Sequence, residues 1–140
     1  MNIREAITAG AESIANLASE FHNYLKDLGD QTSFYFNATT YLRDGFGANP
    51  AFFGFVAEIE GAVVGYLLYH FGYDTDLSRR LTFIIDLYVG EKYRARRIGT
   101  ALMKPPPRQL EIRRRLIFSG ASISETNQRC DSTRVWARDT

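Results

Sequence analysis

The chain has 140 residues, of which 45% are hydrophobic and 14% aromatic, and its formal net charge is +1. This length and composition predict a single globular domain over residues 1–140, with enough apolar residues for a core. No apolar run approaches the roughly 18 residues that a membrane span needs. Residues 1–11 lack the basic start and apolar stretch of a secretory signal, so we expect a cytoplasmic protein without a membrane partner.

The charges are divided unevenly along the chain. Residues 1–91 hold five basic and twelve acidic residues, whereas residues 92–140 hold twelve basic and four acidic ones. A basic half can hold a phosphorylated cofactor and an acidic half can attract a cationic substrate, although solvated surface charge produces the same asymmetry. Cys130 is the only cysteine, so an internal disulfide is excluded and we assign it no role.

The first third of the chain predicts a strand and two helices. Residues 2–6 suit a short strand, and from Thr8 onward apolar residues recur at helical spacing until Gly29. Residues 38–43 form a weaker helix candidate, which Asp44-Gly45 ends. The aromatic run 34–36 suits core packing better than the wall of an amine pocket.

The middle of the chain predicts three strands. Residues 52–59 and 62–71 are rich in aromatic and β-branched residues and flank Glu60-Gly61, which predicts an antiparallel hairpin. Residues 72–80 are read as a polar loop. Residues 81–89 are apolar almost throughout, which favours a central strand covered on both faces, with Asp86 as its one charged residue.

The last third of the chain begins with a helix that cannot continue. A helical pattern starts at Ile98 and must stop near Met103, because three consecutive prolines follow at 105–107. Residues 115–119 can form a further strand. Residues 120–140 show no sustained period of either kind, so no element is predicted there.

Residues 87–103 carry the clearest chemical signal, as a strand, a short loop and the start of a helix. The free N–H groups and the positive dipole end of such a helix suit an anion, and Gly99 allows close approach of the backbone. Arginines in the loop can grip phosphate oxygens. The residues alone therefore predict a phosphate-cofactor site, and the alternative is an ordinary connection with solvated arginines.

This segment resembles the cofactor loop of the Gcn5-related N-acetyltransferases, which reads Arg/Gln-x-x-Gly-x-Gly/Ala after a strand. The sequence from Arg94 to Gly99 resembles it at all but one defined position, and the resemblance extends to residues 2–6, 55–58, 63–66 and 100–103. It implies an α/β fold with a mixed, largely antiparallel central sheet flanked by helices. Residues 65–74 and 83–89 look most like the diamine and thialysine acetyltransferases, which implies acetyl-CoA as co-substrate, a small cationic amine as acceptor and a homodimer.

The resemblance also implies roles for individual residues. Backbone groups of the strand would hold the pantetheine arm, the loop would hold the pyrophosphate, and a later asparagine would also contact the cofactor. These cofactor-binding residues are Leu87, Tyr88, Val89, Arg94, Ala95, Arg96, Arg97, Ile98, Gly99, Thr100 and Asn127. An amine that attacks the thioester needs a base, an oxyanion donor and an acid for the departing thiolate.

Two residues depart from the family pattern. Arg97 replaces the first loop glycine, and its side chain is tolerable only if the backbone there is right-handed helical. Ile85 occupies the position of the subgroup's glutamate base, which leaves Asp86 as the nearest carboxylate and the candidate catalytic residue. Strand alternation points Asp86 to the opposite face, and a buried structural aspartate or a contact to substrate ammonium explains it equally well.

The remaining candidates carry weaker signals. Tyr73 and Asp74 resemble the substrate loop of the subgroup, although the same residues are ordinary turn chemistry. His22 and His70 lack partners at metal-ligand spacing, so we predict no metal site. The arginines lack the interleaved aromatic residues of a stacking surface, so we expect no nucleic-acid partner.

The tail departs from the family. Residues 1–103 are family-like, whereas residues 104–140 lack the motif whose tyrosine serves as the acid. A shifted reading frame takes the third base of each codon with the first two bases of the next. In that frame, codons compatible with the residues from Cys130 onward can encode Arg-Phe-Tyr-Ala-Arg-Leu-Gly, which contains the missing motif. We therefore hypothesise a frame slip near Arg129 or Cys130. Taken as printed, the tail supplies neither the acid nor the last strand, which favours dimer pairing or aggregation at exposed sheet edges. The alternative function is then a CoA-binding domain with little turnover.

Overall fold

The computed structural model describes residues 1–104 and the backbone of residues 115–118 and 135–138; of Arg79 and Leu81 it describes the backbone alone. Its helices are α1 (Ala11–Asp27), α2 (Ala38–Gly45) and α3 (Ile98–Leu102), with 3-10 turns at Thr8–Gly10 and Glu91–Tyr93. Its strands are β1 (Asn2–Glu5), β2 (Phe53–Ile59), β3 (Ala62–Asp74), β4 (Arg79–Val89), β5 (Arg115–Phe118) and β6 (Val135–Arg138).

The described strands form one sheet in chain order, from β1 to β6. Neighbouring strands are antiparallel except for β4 and β5, which are parallel. The predicted mixed, largely antiparallel sheet flanked by helices is therefore confirmed.

Local sequence explains where the first elements end. Gly29, with φ +97°, follows α1 and accepts the left-handed backbone that ends many helices. Asn37 and Thr40 form a reciprocal capping box at the start of α2, with both hydrogen bonds at 2.9 Å. Glu60 and Gly61 both have positive φ, as the tight β2–β3 hairpin requires.

The sheet has an apolar core on each face, as the apolar sequence of β4 predicts. One core lies under α1 and α2, and the other lies against α3. The first contains Ala11, Ile14, Ala18, Phe21, Tyr41, Phe52, Val56, Tyr66, Leu68 and Tyr88. The second contains Phe55, Ala57, Val64, Leu67, Tyr69, Ile84, Ile98 and Leu102.

Two predictions about secondary structure are wrong. Residues 72–80 are not all loop, because β3 continues to Asp74 and β4 begins at Arg79, and the strands pair to the end of the hairpin. Asp74 explains the extension: its Oδ1 accepts bonds from the N–H groups of Asp76 and Leu77, so a short turn suffices. The tail also contains a strand, β6, which pairs with β5.

Among the described residues, no helix is both long and apolar enough to cross a membrane.

Candidate cofactor and catalytic site

Among the described strands, one stretch of sheet edge at the end of β4 is unpaired. The parallel ladder between β4 and β5 joins Thr82 to Leu116 and ends with the pair Ile84 and Phe118. Beyond Ile84, no described strand pairs with β4 on this side. One edge of the last five residues of β4 is therefore not paired with any described strand.

The antiparallel ladder with β3 shows which backbone groups face this edge. The Gly90 N–H donates to the Val64 carbonyl at 2.8 Å. Because hydrogen-bonded and non-hydrogen-bonded pairs alternate, Tyr88 then bonds to β3, whereas the backbone groups of Leu87 and Val89 point the other way. The geometry fits the predicted role of this strand in holding the amide groups of a pantetheine arm.

The loop after β4 leads directly into α3. This helix begins at Ile98 and ends at Leu102, as the proline triplet predicts, and both of these side chains are at most 2% exposed. They anchor the loop in the core beside α3. The first N–H groups of any helix have no acceptor within it, so those at the start of α3 are directed toward the loop.

Arg94 is held by the protein rather than extended toward solvent. Its Nε donates to the Val89 carbonyl at 3.2 Å, and a terminal nitrogen donates to the Tyr88 hydroxyl at 3.2 Å. Its guanidinium also lies 4.8 Å from the centre of the Tyr24 ring on α1. We call Arg94, Tyr24 and Tyr88 the arginine clamp, which fastens the start of the loop to α1 and β4.

The clamp has an acidic neighbour, Glu20. Burial, followed by the negative charge of Glu20, raises the pKa of Tyr88, and Arg94 opposes this effect. The Tyr88 hydroxyl is therefore neutral at physiological pH and accepts a bond from Arg94. Sequence reasoning did not find Tyr24 or Glu20 as parts of the site, although their spacing of four residues places them on one face of α1.

The loop itself contains left-handed backbone at two residues that are not glycine. Ala95 has φ 61° and Arg97 has φ 57° with ψ 22°. The prediction that Arg97 is right-handed is wrong, because this residue caps α3 and reverses the chain before the helix. Such a conformation costs a residue with a side chain about 1–3 kcal/mol. The Arg97 side chain is exposed, as is that of Arg96, whose guanidinium lies 5.6 Å from the centre of the Tyr93 ring.

A bulge in β4 decides the direction of Asp86. Leu68 pairs with Asp86 but Tyr69 pairs with Ile84, so Ile85 is an extra residue on β4. Ile85 packs against the core under α1. Asp86 pairs with Leu68, whose side chain belongs to the same core, so Asp86 also lies on the α1 face. The expectation that strict alternation sends Ile85 and Asp86 to opposite faces is wrong, because the bulge cancels one step of the alternation.

Asp86 lies in an environment that favours its neutral form. Burial raises the pKa of this carboxyl, and the Tyr66 hydroxyl opposes the shift by favouring the carboxylate. Burial and the negative charge of Asp86 also raise the pKa of Tyr66. A carboxyl whose pKa is raised by burial is, once ionised, a stronger base than an exposed aspartate.

The other predicted site residues are placed as follows. Tyr73 pairs with Arg80 at the far end of β3, about 20 Å from Asp86 along the strand. Its hydroxyl lies 3.0 Å from the Ser78 Oγ, and Asp74 supports the neighbouring turn. The structure does not bring this pair to Asp86. Asn127 and the proposed frame boundary lie outside the described residues.

Within the described part of the chain, no cluster of three His, Cys, Asp or Glu side chains is arranged to hold a metal ion. His22 stacks on Phe34 and His70 on Phe83.

A cavity of about 260 Å³ lies elsewhere, between α2 and the β1–β3 end of the sheet. Its lining contains none of the predicted site residues, so it does not contribute to this site. It is lined by Glu5, Ala6, Tyr41, Gly45, Phe46, Phe52, Phe53, Gly54, Leu68 and Tyr69.

The chain is similar to known proteins over most of the described residues. Residues 12–105 match the acetyltransferase (GNAT) family. The chain belongs to this family. The predicted membership of the GNAT family is thereby confirmed.

Individual GNAT proteins give a finer comparison. The thialysine N-epsilon-acetyltransferase of Bos taurus is 37% identical over 110 residues, which are 73% of this chain and 62% of that protein. The spermidine/spermine N(1)-acetyltransferase-like protein 1 of Homo sapiens is 34% identical over 74 residues, 48% of this chain and 10% of that protein. A crystal structure of a variant of the BH1408 protein from Bacillus halodurans matches with a TM-score of 0.62 at 25% identity, covering 74% of this chain and 70% of that one.

These relatives fall in the subgroup that the sequence suggested. The chain spans about 62% of the length of the first of them.

Proposed function

We propose that this protein is an acetyl-CoA-dependent N-acetyltransferase that acetylates a primary amine of a small cationic molecule, polyamine-like or lysine-like. The observation that carries the proposal is the open edge of β4 beside the clamped loop and α3. Membership of the GNAT family supports the same activity. The names of the thialysine and spermidine/spermine relatives support the acceptor class.

The described residues fit acetyl-CoA as co-substrate. The edge groups of Leu87 and the N–H of Val89 suit the amides of the pantetheine arm, since the Val89 carbonyl already accepts from Arg94. The start of α3 with the exposed Arg96 and Arg97 suits the pyrophosphate. The bound cofactor supplies an acetyl thioester, and the protein must bring a neutral amine to it.

Asp86 is the proposed proton acceptor for the incoming ammonium. It lies on the α1 face of β4, and burial raises the pKa of its carboxyl, so its carboxylate is a stronger base than that of an exposed aspartate. Glu20, on the same face, adds negative charge that attracts a cationic acceptor. We further propose that the protein works in the cytoplasm as a homodimer.

A second candidate function is cofactor binding with little turnover. Ile85 packs into the core where the subgroup carries its glutamate base, so that residue cannot transfer a proton. Under this alternative the protein binds acetyl-CoA with ordinary affinity and releases no thiol when amines are added.

Calorimetry with acetyl-CoA, followed by thiol release with a panel of polyamines, lysine analogues and peptides, separates the two functions. We expect binding, and thiol release with at least one small cationic amine. The variant Asp86→Asn should bind acetyl-CoA but lose most of its turnover, whereas Asp27→Asn, an exposed residue at the end of α1, should retain both. Binding without turnover for every amine supports the second function, and no binding rejects both.

A further inference from the structure

The Tyr66 side chain is an unusual element of the core under α1. It is 0% exposed, and its hydroxyl has no hydrogen bond of standard geometry to any described residue. A buried hydroxyl without a partner costs about 1–3 kcal/mol. A core position that needed only an aromatic ring would be served by phenylalanine, so the hydroxyl requires a separate explanation.

The sheet register supplies a partner for this hydroxyl. Tyr66 pairs with Tyr88, and Asp86 lies two residues before Tyr88 on the same strand. Diagonal neighbours of this kind are about 7–8 Å apart at their Cα atoms, which an aromatic side chain spans. The bulge at Ile85 keeps Asp86 on the face where Tyr66 lies.

We propose that Tyr66 is a positioning residue for Asp86, whose hydroxyl donates to the carboxylate and holds it on the α1 face of β4. The inference rests on the proposed function, in which Asp86 accepts the proton of the acceptor amine. Tyr66 itself transfers no proton. Its hydroxyl keeps the carboxylate oriented and eases its ionisation within the core.

The charges around the pair support this assignment. Burial disfavours the Asp86 carboxylate, and the Tyr66 hydroxyl counteracts burial by lowering the pKa of Asp86. Tyr88 adds a smaller influence on Tyr66, and Glu20 and Arg94 act on Tyr88 rather than on Asp86 directly. Two other titratable groups among the described residues face this core, Tyr24 on α1 and Tyr41 on α2.

The matched test compares Tyr66→Phe with Tyr41→Phe. Both remove a hydroxyl from a fully buried tyrosine of the same core, but Tyr41 donates to the Ile7 carbonyl at 2.9 Å, remote from Asp86. Carbon-13 NMR of aspartate-labelled protein, with the Asp86 signal assigned from Asp86→Asn, follows the carboxyl directly. We expect its titration midpoint to rise in Tyr66→Phe and to stay unchanged in Tyr41→Phe. An equal response in the two variants overturns the inference.

The titration of the Asp86 carboxyl does not require turnover, so failure of the proposed function can be distinguished from failure of this inference. If the wild type releases thiol, the acid limb of its kcat/KM profile should also move to higher pH in Tyr66→Phe, with kcat reduced and KM little changed. If it does not, the proposed function fails, while the carboxyl titration still decides the pairing.

A second measurement covers the case in which Tyr66→Phe does not fold. In Asp86→Asn, carbon-13 label at the ζ position of tyrosine should show a changed signal for Tyr66 and an unchanged signal for Tyr41. An unchanged Tyr66 signal overturns the inference.

Discussion

The loop before α3 and the bulge in β4 both depart from regular backbone, but the protein holds them in different ways. The bulge at Ile85 is enclosed by the core under α1 and flanked by strand pairs on both sides. The loop is exposed at Ala95 and Arg97 and is held at its two ends, by the arginine clamp and by α3. Many contacts therefore stabilise the irregular backbone of the bulge, whereas the conformation of the loop depends on a few side chains.

The largest effect is expected from releasing the α3 end of the loop. Leu102 is 2% exposed, and Leu102→Ala should lower the free energy of unfolding by about 2–5 kcal/mol, because it leaves a cavity under the helix. Chemical denaturation measures this loss. Leu42→Ala, at a site that is 40% exposed, should change stability by less than about 0.5 kcal/mol. Equal losses would show that Leu102 does not anchor the loop.

Releasing the clamp end should have a smaller effect on stability and a clear effect on binding. Arg94→Ala loses two hydrogen bonds and a cation–π contact, which together are worth about 1–2 kcal/mol, so acetyl-CoA should bind about tenfold more weakly. Arg94→Lys should lose nearly as much, because an ammonium cannot make both contacts. Arg43→Ala, at an exposed pair with Asp44, is the control.

Full retention of affinity by the lysine variant would instead assign Arg94 a direct phosphate contact through its charge. Calorimetry distinguishes these outcomes.

The bulge is tested through pH, because it places Asp86 in the core. The pKa of Asp86 is raised above its ordinary 3.8, so between these two pKa values the folded state binds more protons than the unfolded state. The free energy of unfolding therefore falls as the pH rises from 3.8 through the pKa of the folded state. Asp86→Asn should abolish this slope, which is at most about 1.4 kcal/mol per pH unit. Urea denaturation at a series of pH values measures it.

Asp44→Asn provides a control of opposite sign. Arg43 lowers the pKa of Asp44, so this carboxyl contributes stability that is lost as pH falls below 3.8. A wild-type slope that survives in Asp86→Asn would place the responsible group elsewhere.

The smallest effect is expected from relieving the backbone of Arg97. Arg97→Gly should stabilise the protein by about 0.5–1 kcal/mol, since glycine adopts φ 57° without strain. Arg97→Ala removes the charge but keeps the strain, so it should not gain this stability, and both variants should bind acetyl-CoA more weakly than the wild type. Glu60→Gly, at a turn residue with φ 50°, should gain stability in the same way without changing affinity. Thermal unfolding and calorimetry together measure both quantities.

Sequence reasoning located the elements whose local signals agree with the fold. Periodicity predicted α1, alternation and β-branched residues predicted the β2–β3 hairpin, and the proline triplet predicted the end of α3. It placed strand ends poorly, because the turn after β3 is set by side-chain bonds of Asp74 rather than by composition. It missed β6 because this strand lies in a stretch of sequence, residues 120–140, that shows no sustained period.

In the site, too, features set by local sequence were predicted and features set by tertiary contacts were not. The loop motif identified the family, since its residues form a contiguous stretch of chain, and the role of that stretch in binding the cofactor stays a prediction. The bulge at Ile85 was not predictable, because it arises from the pairing of two strands and leaves no composition signal. The roles of Tyr24 and Tyr66 depend likewise on tertiary contacts.

The arginine clamp has a consequence for how ligand binding is transmitted. Since Arg94 joins the loop to Tyr24, ordering of the loop and ordering of the second half of α1 must favour each other to the same extent. A ligand on the loop should therefore slow amide hydrogen exchange in the last turns of α1, more than 40 residues away in sequence from the nearest loop residue. The helix that faces the proposed acceptor site would then report whether the cofactor is bound.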